Sequence, residues 1–222
     1  MNEDLLPLIL AGLQDTVYMV ALSALIAAFL GFPIAVLLIV SEKGGIMERP
    51  NLNRVLGAFV NLFRSFPTII LIVVLLPLSR WIVGTTLGAT AAVVPLSIGS
   101  APFLARIIEN SLKEVERGKI EAARAMGASP QTIVFKVMFP EALPALVRGI
   151  TLAIITITGF TAVAGAVGAG GLGSLAIRFG YMRYRNDVMF ATVALLVVLV
   201  QLVQWCGDRA ARKINSKRYR FD

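Results

Sequence analysis

Four long stretches without a single Asp, Glu, Lys or Arg constrain what this chain can fold into. They comprise residues 16–41, 81–105, 149–177 and 188–207. As a helix, each stretch is long enough to cross the ~30 Å hydrocarbon core of a bilayer. Because 57% of the residues are hydrophobic and only 15% are charged, a soluble domain could not cover this apolar surface. The sequence therefore predicts an all-α integral membrane protein.

A shorter apolar run predicts a fifth span. Residues 65–79 lie between Arg64 and Arg80 and are too few to cross a membrane as one helix. The run becomes long enough when residues 55–63 join it, or when both arginine side chains extend to the interfaces. The prediction is a transmembrane domain, 12–206, and a basic cytoplasmic tail, 207–222, with spans at about residues 16–40, 58–79, 85–106, 149–169 and 188–207.

The distribution of basic residues predicts the orientation of these spans. Five spans place the termini on opposite sides, and one assignment puts 17 of the 21 Lys and Arg residues in the cytoplasm. Since cytoplasmic loops are rich in Lys and Arg, we expect the N-terminus outside and the C-terminus in the cytoplasm. The net charge of +8 follows from this topology, so the lipid bilayer is the expected partner of the basic residues, and no nucleic acid is expected.

Side-chain chemistry argues against catalysis in this chain. There is no histidine and only one cysteine, Cys206, so neither an internal disulfide nor a Cys/His metal cage can form. We expect no catalytic residue and no metal site. An ion-coupled secondary transporter would need ionisable residues near the middle of its spans, whereas Asp15, Glu109 and Asp187 lie at span ends and are interpreted as anchors. Such a transporter remains an alternative with little support.

The longest charged interval, 106–148, is expected on the cytoplasmic side as a partner-facing region, with its coupling element within 107–147. Residues 121–126 are strong helix formers, and the helix is expected to end at Gly127. Ser129 and Pro130 are typical of a new helix start, as cap and first helical residue. This second helix is predicted to run to Pro140, with an apolar stripe formed by Ile133, Val134, Val137 and Met138.

In this interval the sequence resembles a known family. The spacing of Glu121, Ala122, Ala123, Gly127, Val137 and Pro140 is similar to the cytoplasmic signature of type I ABC importer permeases. The resemblance implies that fold, with a coupling helix that docks into a groove on a separate ATPase subunit. The residues that it assigns to ATPase docking are Glu121, Ala122, Ala123, Arg124, Ala125, Met126, Gly127, Ala128 and Ser129.

Further segments resemble the methionine-importer permeases within that family. They are residues 63–67, 95–103, 105–110, 124–128, 140–144, 165–173 and 207–209. The resemblance implies a bacterial inner-membrane subunit that imports methionine, with no cofactor of its own because ATP and Mg²⁺ bind the ATPase. It also implies an external substrate-binding protein, and symmetry predicts two permease copies with two ATPase subunits. A permease for another amino acid or small polar solute is the alternative.

Glycine and threonine residues of the apolar stretch 149–177 each allow two interpretations. Residues 168–173 satisfy the dinucleotide pattern GxGxxG, but without a preceding strand they predict a tight backbone turn. In the fourth span, small and hydroxylated residues favour close helix packing, or else they line a solute pathway. The residues in question are Thr156, Thr158, Gly159 and Thr161.

Overall fold

A computed structural model describes residues 5–218, and every regular element in that range is helical. Long apolar segments with few charges form helices here because a helix satisfies its own backbone hydrogen bonds. The α-helices are α1 Leu5–Ser41, α2 Pro50–Ser65, α3 Thr68–Val83, α4 Ala89–Lys113, α5 Arg117–Ala125, α6 Pro130–Thr132, α7 Phe139–Ala164, α8 Gly171–Leu175 and α9 Asn186–Arg218. Two π-helical segments, Ile133–Met138 and Ala176–Tyr181, and a 3₁₀ turn, Gly165–Val167, complete the helical elements of 5–218.

The number of membrane-spanning elements matches the sequence prediction. Within the described residues, four helical stretches are long and apolar enough to cross a membrane: Leu5–Ser41, Ala89–Lys113, Pro130–Val167 and Asn186–Ser216. The bent pair α2 and α3 supplies a fifth candidate. The predicted fold class, an all-α membrane protein, is thereby confirmed, with four to five candidate spans among the described residues.

The second span is not the single helix that the sequence predicted over residues 58–79. Helix α2 ends at Ser65 and α3 begins at Thr68, with a sharp bend between them. A proline disfavours helical geometry in the residue before it, so Phe66 leaves the helix and Pro67 starts the next one in an extended conformation. The Phe66–Pro67 step was the sequence signal for this break.

The prediction that a separate helix ends at Pro140 is also wrong. Helical structure continues from Pro130 through a π-helical segment into α7, which ends at Ala164. In that segment the Phe139 N–H bonds to the Val134 carbonyl five residues earlier. A π-helical turn is wider than an α-helical one, and Pro140 has no N–H to lose, so the chain accommodates this proline without ending the helix. The predicted span at 149–169 therefore begins inside a longer helix, α7, and extends past the end of α7 at Ala164.

The chain divides into two compact units, each with its own core. Within the described residues, the first unit comprises 5–27, 66–100 and 154–204, and the second comprises 28–65, 101–153 and 205–218. One core of the first unit gathers Met19, Ile72, Val93, Leu96 and Ala164, and another gathers Ile9, Leu172, Leu175 and Val188. The core of the second unit gathers residues of α1, α4, α5, α7 and the first π-helical segment, among them Ala35, Ala105, Leu112, Ala123, Ile133, Val134 and Leu146.

Candidate docking site

Helix α5 ends in a tight glycine cap, as the sequence predicted. Gly127 has φ +77°, a left-handed conformation in which a side chain is unfavourable. Its N–H bonds to the Arg124 carbonyl at 2.9 Å, and the Ala128 N–H bonds to the Ala123 carbonyl at 3.0 Å. These two bonds form a Schellman motif, which satisfies carbonyls that the helix end would otherwise leave unpaired. The turn therefore depends on Gly127.

The next helix starts at the predicted cap. The Ser129 side chain accepts a hydrogen bond from the Thr132 N–H at 3.3 Å, and Pro130 occupies the first helical position. Ser129 also hydrogen-bonds with the Thr132 hydroxyl at 2.9 Å. Because a serine cap and a first-turn proline both favour helix initiation, the direction of the chain after Gly127 is fixed by local sequence.

The nine predicted docking residues do not all face solvent. Ala123 is 4% exposed and packs in the core of the second unit with Ile133 and Met138, and Ala128 is partly buried. Ala123, one of the residues assigned to ATPase docking, is therefore placed as a packing residue of this chain. The exposed members are Glu121, Ala122, Arg124, Ala125, Met126, Gly127 and Ser129. Met126 is 81% exposed, so this surface carries a large apolar side chain at the helix end.

The segment between α1 and α2 lies against this helix, a feature that sequence reasoning missed. The Arg124 guanidinium donates a hydrogen bond to the Gly45 carbonyl, and Ile46 packs on the core that contains Ala123. Gly44 has φ +75°, which allows the tight turn that brings this carbonyl to the helix. The Gly44–Gly45 pair after Glu42 and Lys43 indicates such a turn, but nothing in the sequence indicates what the turn contacts.

A chain of charges connects the end of α1 to α2 through α4. Lys113 Nζ lies 3.0 Å from Glu42 Oε1 and 3.0 Å from Glu109 Oε1, and Glu109 Oε2 lies 2.7 Å from Arg106 Nη1. Arg106 also donates to Asn61 Oδ1 at 3.1 Å. The Glu109 side chain is 2% exposed, and a buried carboxylate is costly unless it is paired. The predicted anchor is therefore a buried ion-pair centre, with a cation on each side.

Two pockets open beside α5 in the second unit. One, of about 240 Å³, lies between the α1–α2 segment and α5 and is lined by Lys43, Gly44, Arg117, Glu121 and Arg124 among others. The other, of about 430 Å³, contains an ion pair between Lys119 Nζ and Glu141 Oε2 at 2.7 Å. Both are lined by charged side chains from α5 and its neighbours, so the surface around α5 is polar.

In the first unit, the GxGxxG segment forms the tight turn that the sequence predicted. Gly168, Gly170 and Gly171 have φ values of +90°, +81° and +76°. The Leu172 N–H bonds to the Thr16 hydroxyl at 2.9 Å, and an added Cβ on Gly171 would lie 2.7 Å from that hydroxyl. Gly170 and Gly171 allow close approach to Asp15 and Thr16 of α1, and Gly168 allows close approach to Leu87, which are packing roles.

The fourth-span threonines and glycine have different surroundings. Thr158 is 2% exposed and Thr161 is 1% exposed, and their hydroxyls bond to the carbonyls of Ile154 and Thr158 at 2.9 and 2.7 Å. Thr156 is partly buried, whereas Gly159 is exposed and an added Cβ there would meet nothing within 4 Å. Within the chain, Thr158 and Thr161 are placed as packing residues.

Within residues 5–218, no group of three or more His, Cys, Asp or Glu side chains is placed to hold a metal ion. The free Cys206 is exposed.

Comparison with known proteins identifies the family. The family described as "Binding-protein-dependent transport system inner membrane component" matches residues 39–216, most of the chain. The chain belongs to this family. It is a multi-pass inner-membrane permease component of an ABC transporter, in which the ATPase is a separate subunit.

Several relatives of this permease match over nearly its whole length. A D-methionine transport system permease protein of Escherichia coli K12 is 47% identical over 98% of this chain and 100% of that protein. A probable D-methionine transport system permease protein of Vibrio cholerae is 46% identical over 98% of this chain and 95% of that protein. A methionine import system permease protein of Bacillus subtilis is 46% identical over 82% of each chain.

Solved structures agree with the fold of the permease. A chain from the inward-facing MetNI methionine ABC transporter superposes with a TM-score of 0.94 at 47% identity, covering 96% of this permease and 99% of that chain. A chain from an amino acid ABC transporter with histidines superposes with a TM-score of 0.76 at 21% identity, covering 93% and 94%. The second similarity shows a shared fold alone.

Proposed function

We propose that this permease moves methionine, together with close analogues, inward across the bacterial inner membrane. The observation that supports this substrate is the identity of 46–47%, over almost the whole chain, to permeases of methionine transport systems. Thr, Gly and aliphatic side chains along α7 are compatible with a substrate that has an uncharged thioether side chain. Of these, we assign Thr156 and Gly159 to the pathway, because they are the members of the predicted set that lie least buried.

Energy for this movement comes from a separate ATPase subunit that docks on α5. The exposed Glu121 and Met126 supply a charged and an apolar contact on one short helix. Backbone hydrogen bonds fix the Schellman turn at Gly127, and the Ser129 side chain caps the helical stretch that continues into α7, so a short hydrogen-bonded turn joins α5 to that stretch. A displacement of α5 by the ATPase is thereby transmitted to α7, a long apolar helix. ATP and Mg²⁺ bind the ATPase.

The assembly is two permease chains with two ATPase subunits and an external substrate-binding protein. One docking helix per chain engages one ATPase, and a two-fold axis encloses a pathway that five spans cannot enclose alone. Native mass spectrometry of the purified importer is expected to give a complex of two permease and two ATPase chains. A mass corresponding to one permease per ATPase pair would contradict this assembly.

Uptake by proteoliposomes tests the substrate. With the ATPase subunit and the binding protein present, we expect ATP-dependent accumulation of labelled methionine that excess unlabelled methionine abolishes and excess histidine leaves unchanged. An ATPase variant that cannot hydrolyse ATP provides the control for passive entry. Accumulation of histidine in place of methionine would favour the alternative, a permease for another amino acid. Methionine uptake driven by an ion gradient without ATP would favour a secondary transporter.

A further inference from the structure

We propose that the segment between α1 and α2 is a second contact for the ATPase, and that the pocket between it and α5 receives an acidic side chain of that subunit. This segment consists of residues 42–49 and is called the α1–α2 loop below. The proposal rests on the proposed function, because it takes the ATPase to dock on α5. It adds the α1–α2 loop to that interface, and it specifies an acidic side chain as the group that the ATPase contributes there.

The α1–α2 loop is attached to α5 and to the end of α4. The Arg124 guanidinium, from α5, donates to the Gly45 carbonyl. Ile46 packs on the same core as Ala123 of α5. Glu42 pairs at 3.0 Å with Lys113, the last residue of α4. A subunit that contacts the exposed face of α5 therefore meets the loop as part of one surface.

The pocket between them carries an excess of positive charge. Four cationic side chains, Lys43, Lys113, Arg117 and Arg124, line it, together with two carboxylates, Glu42 and Glu121. Lys113 is already paired with Glu42 and Glu109. By contrast, Lys43 and Arg117 are exposed and form no salt bridge with any residue among 5–218. The charge left to a partner is positive.

The size and charge of the pocket fit a carboxylate. Its volume of about 240 Å³ exceeds that of a single acidic side chain, which leaves room for bridging water. Arginine and lysine at the rim of an interface attract an oppositely charged partner and fix its register. The partner group is therefore an aspartate or glutamate of the ATPase, positioned between the α1–α2 loop and α5.

Zero-length coupling with a carbodiimide tests this contact in the assembled transporter. The reagent joins a lysine amine only to a carboxylate in direct contact with it, so we expect a permease–ATPase crosslink at Lys43, identified by mass spectrometry. Lys43→Arg keeps the charge and should lose the crosslink with unchanged affinity. Lys43→Glu should lose the crosslink and raise the Kd for the ATPase by about fivefold, the upper range for one exposed charge pair.

Arg54→Glu provides the matched control, because Arg54 is an exposed cation of the same unit that does not line the pocket. It should leave the Kd unchanged. The proposal is overturned if Lys43→Glu binds the ATPase like the wild type, or if Arg54→Glu weakens binding equally. It is also overturned if Lys43→Glu leaves that Kd unchanged and instead loses bound anionic phospholipid, since the pocket would then serve a lipid headgroup. If these binding measurements contradict the pocket contact but a Gly127→Val variant still loses methionine uptake, the proposed docking on α5 stands and only the second contact is wrong.

Discussion

The hydroxyl of Thr16 lies 2.9 Å from the backbone nitrogen of Leu172, a residue 156 positions later in the chain. The same hydroxyl donates to the Gly12 carbonyl at 2.9 Å. One side chain, only 1% exposed, thereby satisfies a buried N–H at the start of α8 and attaches the glycine turn to α1. Within the first unit, this contact fixes the position of the glycine turn.

Replacing Thr16 with valine should destabilise the permease. Valine has nearly the same shape but no hydroxyl, so the buried Leu172 N–H would lose its partner at a cost of ~1–3 kcal/mol. We expect the apparent Tm in detergent to fall by about 2–10 °C. Thr16→Ser keeps the hydroxyl and should lose much less. Equal melting temperatures for the wild type and Thr16→Val would show that this hydrogen bond does not hold the turn.

Local signals in the sequence predicted the docking segment accurately. Gly127 ends α5 and Ser129 with Pro130 starts the next helix, because both signals act through the backbone of their immediate neighbours. The glycine turn at 168–171 was predicted for the same reason. The docking role of this segment is a proposal that stability and transport measurements must test.

Contacts between distant segments could not be predicted from the sequence. The sequence places Arg124 among the predicted docking residues but does not indicate its hydrogen bond to the Gly45 carbonyl, which forms only in the folded chain. Similarly, Glu109 looks like a residue at a span end, although α4 extends beyond it to Lys113 and buries it between two cations. The continuity of the helix through Pro140 was missed because a π-helical turn has no distinctive sequence pattern.

A methyl group at Gly173 should disrupt the first unit. An added Cβ would lie 2.5 Å from the Cα and the carbonyl oxygen of Ala162, and these backbone atoms cannot move as a side chain could. We expect Gly173→Ala to cost ~1–3 kcal/mol and to lower the Tm and the yield of folded protein. Gly118→Ala is the matched control, because an added Cβ there meets nothing within 4 Å. Loss of stability in both variants would point to a general intolerance of alanine.

Thiol labelling should reveal the orientation of the permease. The termini would be natural positions for labels, but Asn2 lies outside the described residues and so does the Lys217 side chain. Tyr184 is 86% exposed, Glu114 is also exposed, and the two lie on opposite predicted sides. In a background with Cys206 replaced, an impermeant reagent should label Tyr184→Cys in intact cells and Glu114→Cys only after permeabilisation. The reverse pattern would invert the topology.

Methionine uptake by the Gly127→Val variant tests the proposed coupling most directly. Valine at φ +77° strains the turn by ~1–2 kcal/mol or more, because a β-branched residue is poorly tolerated there. Gly118→Val makes the same change on the same helix without a positive φ, and serves as the control. In proteoliposomes with equal amounts of permease and ATPase, Gly127→Val should lower uptake and substrate-stimulated ATP hydrolysis together by about fivefold or more, while Gly118→Val retains both. Import by Gly127→Val at the wild-type rate would contradict a coupling role for α5.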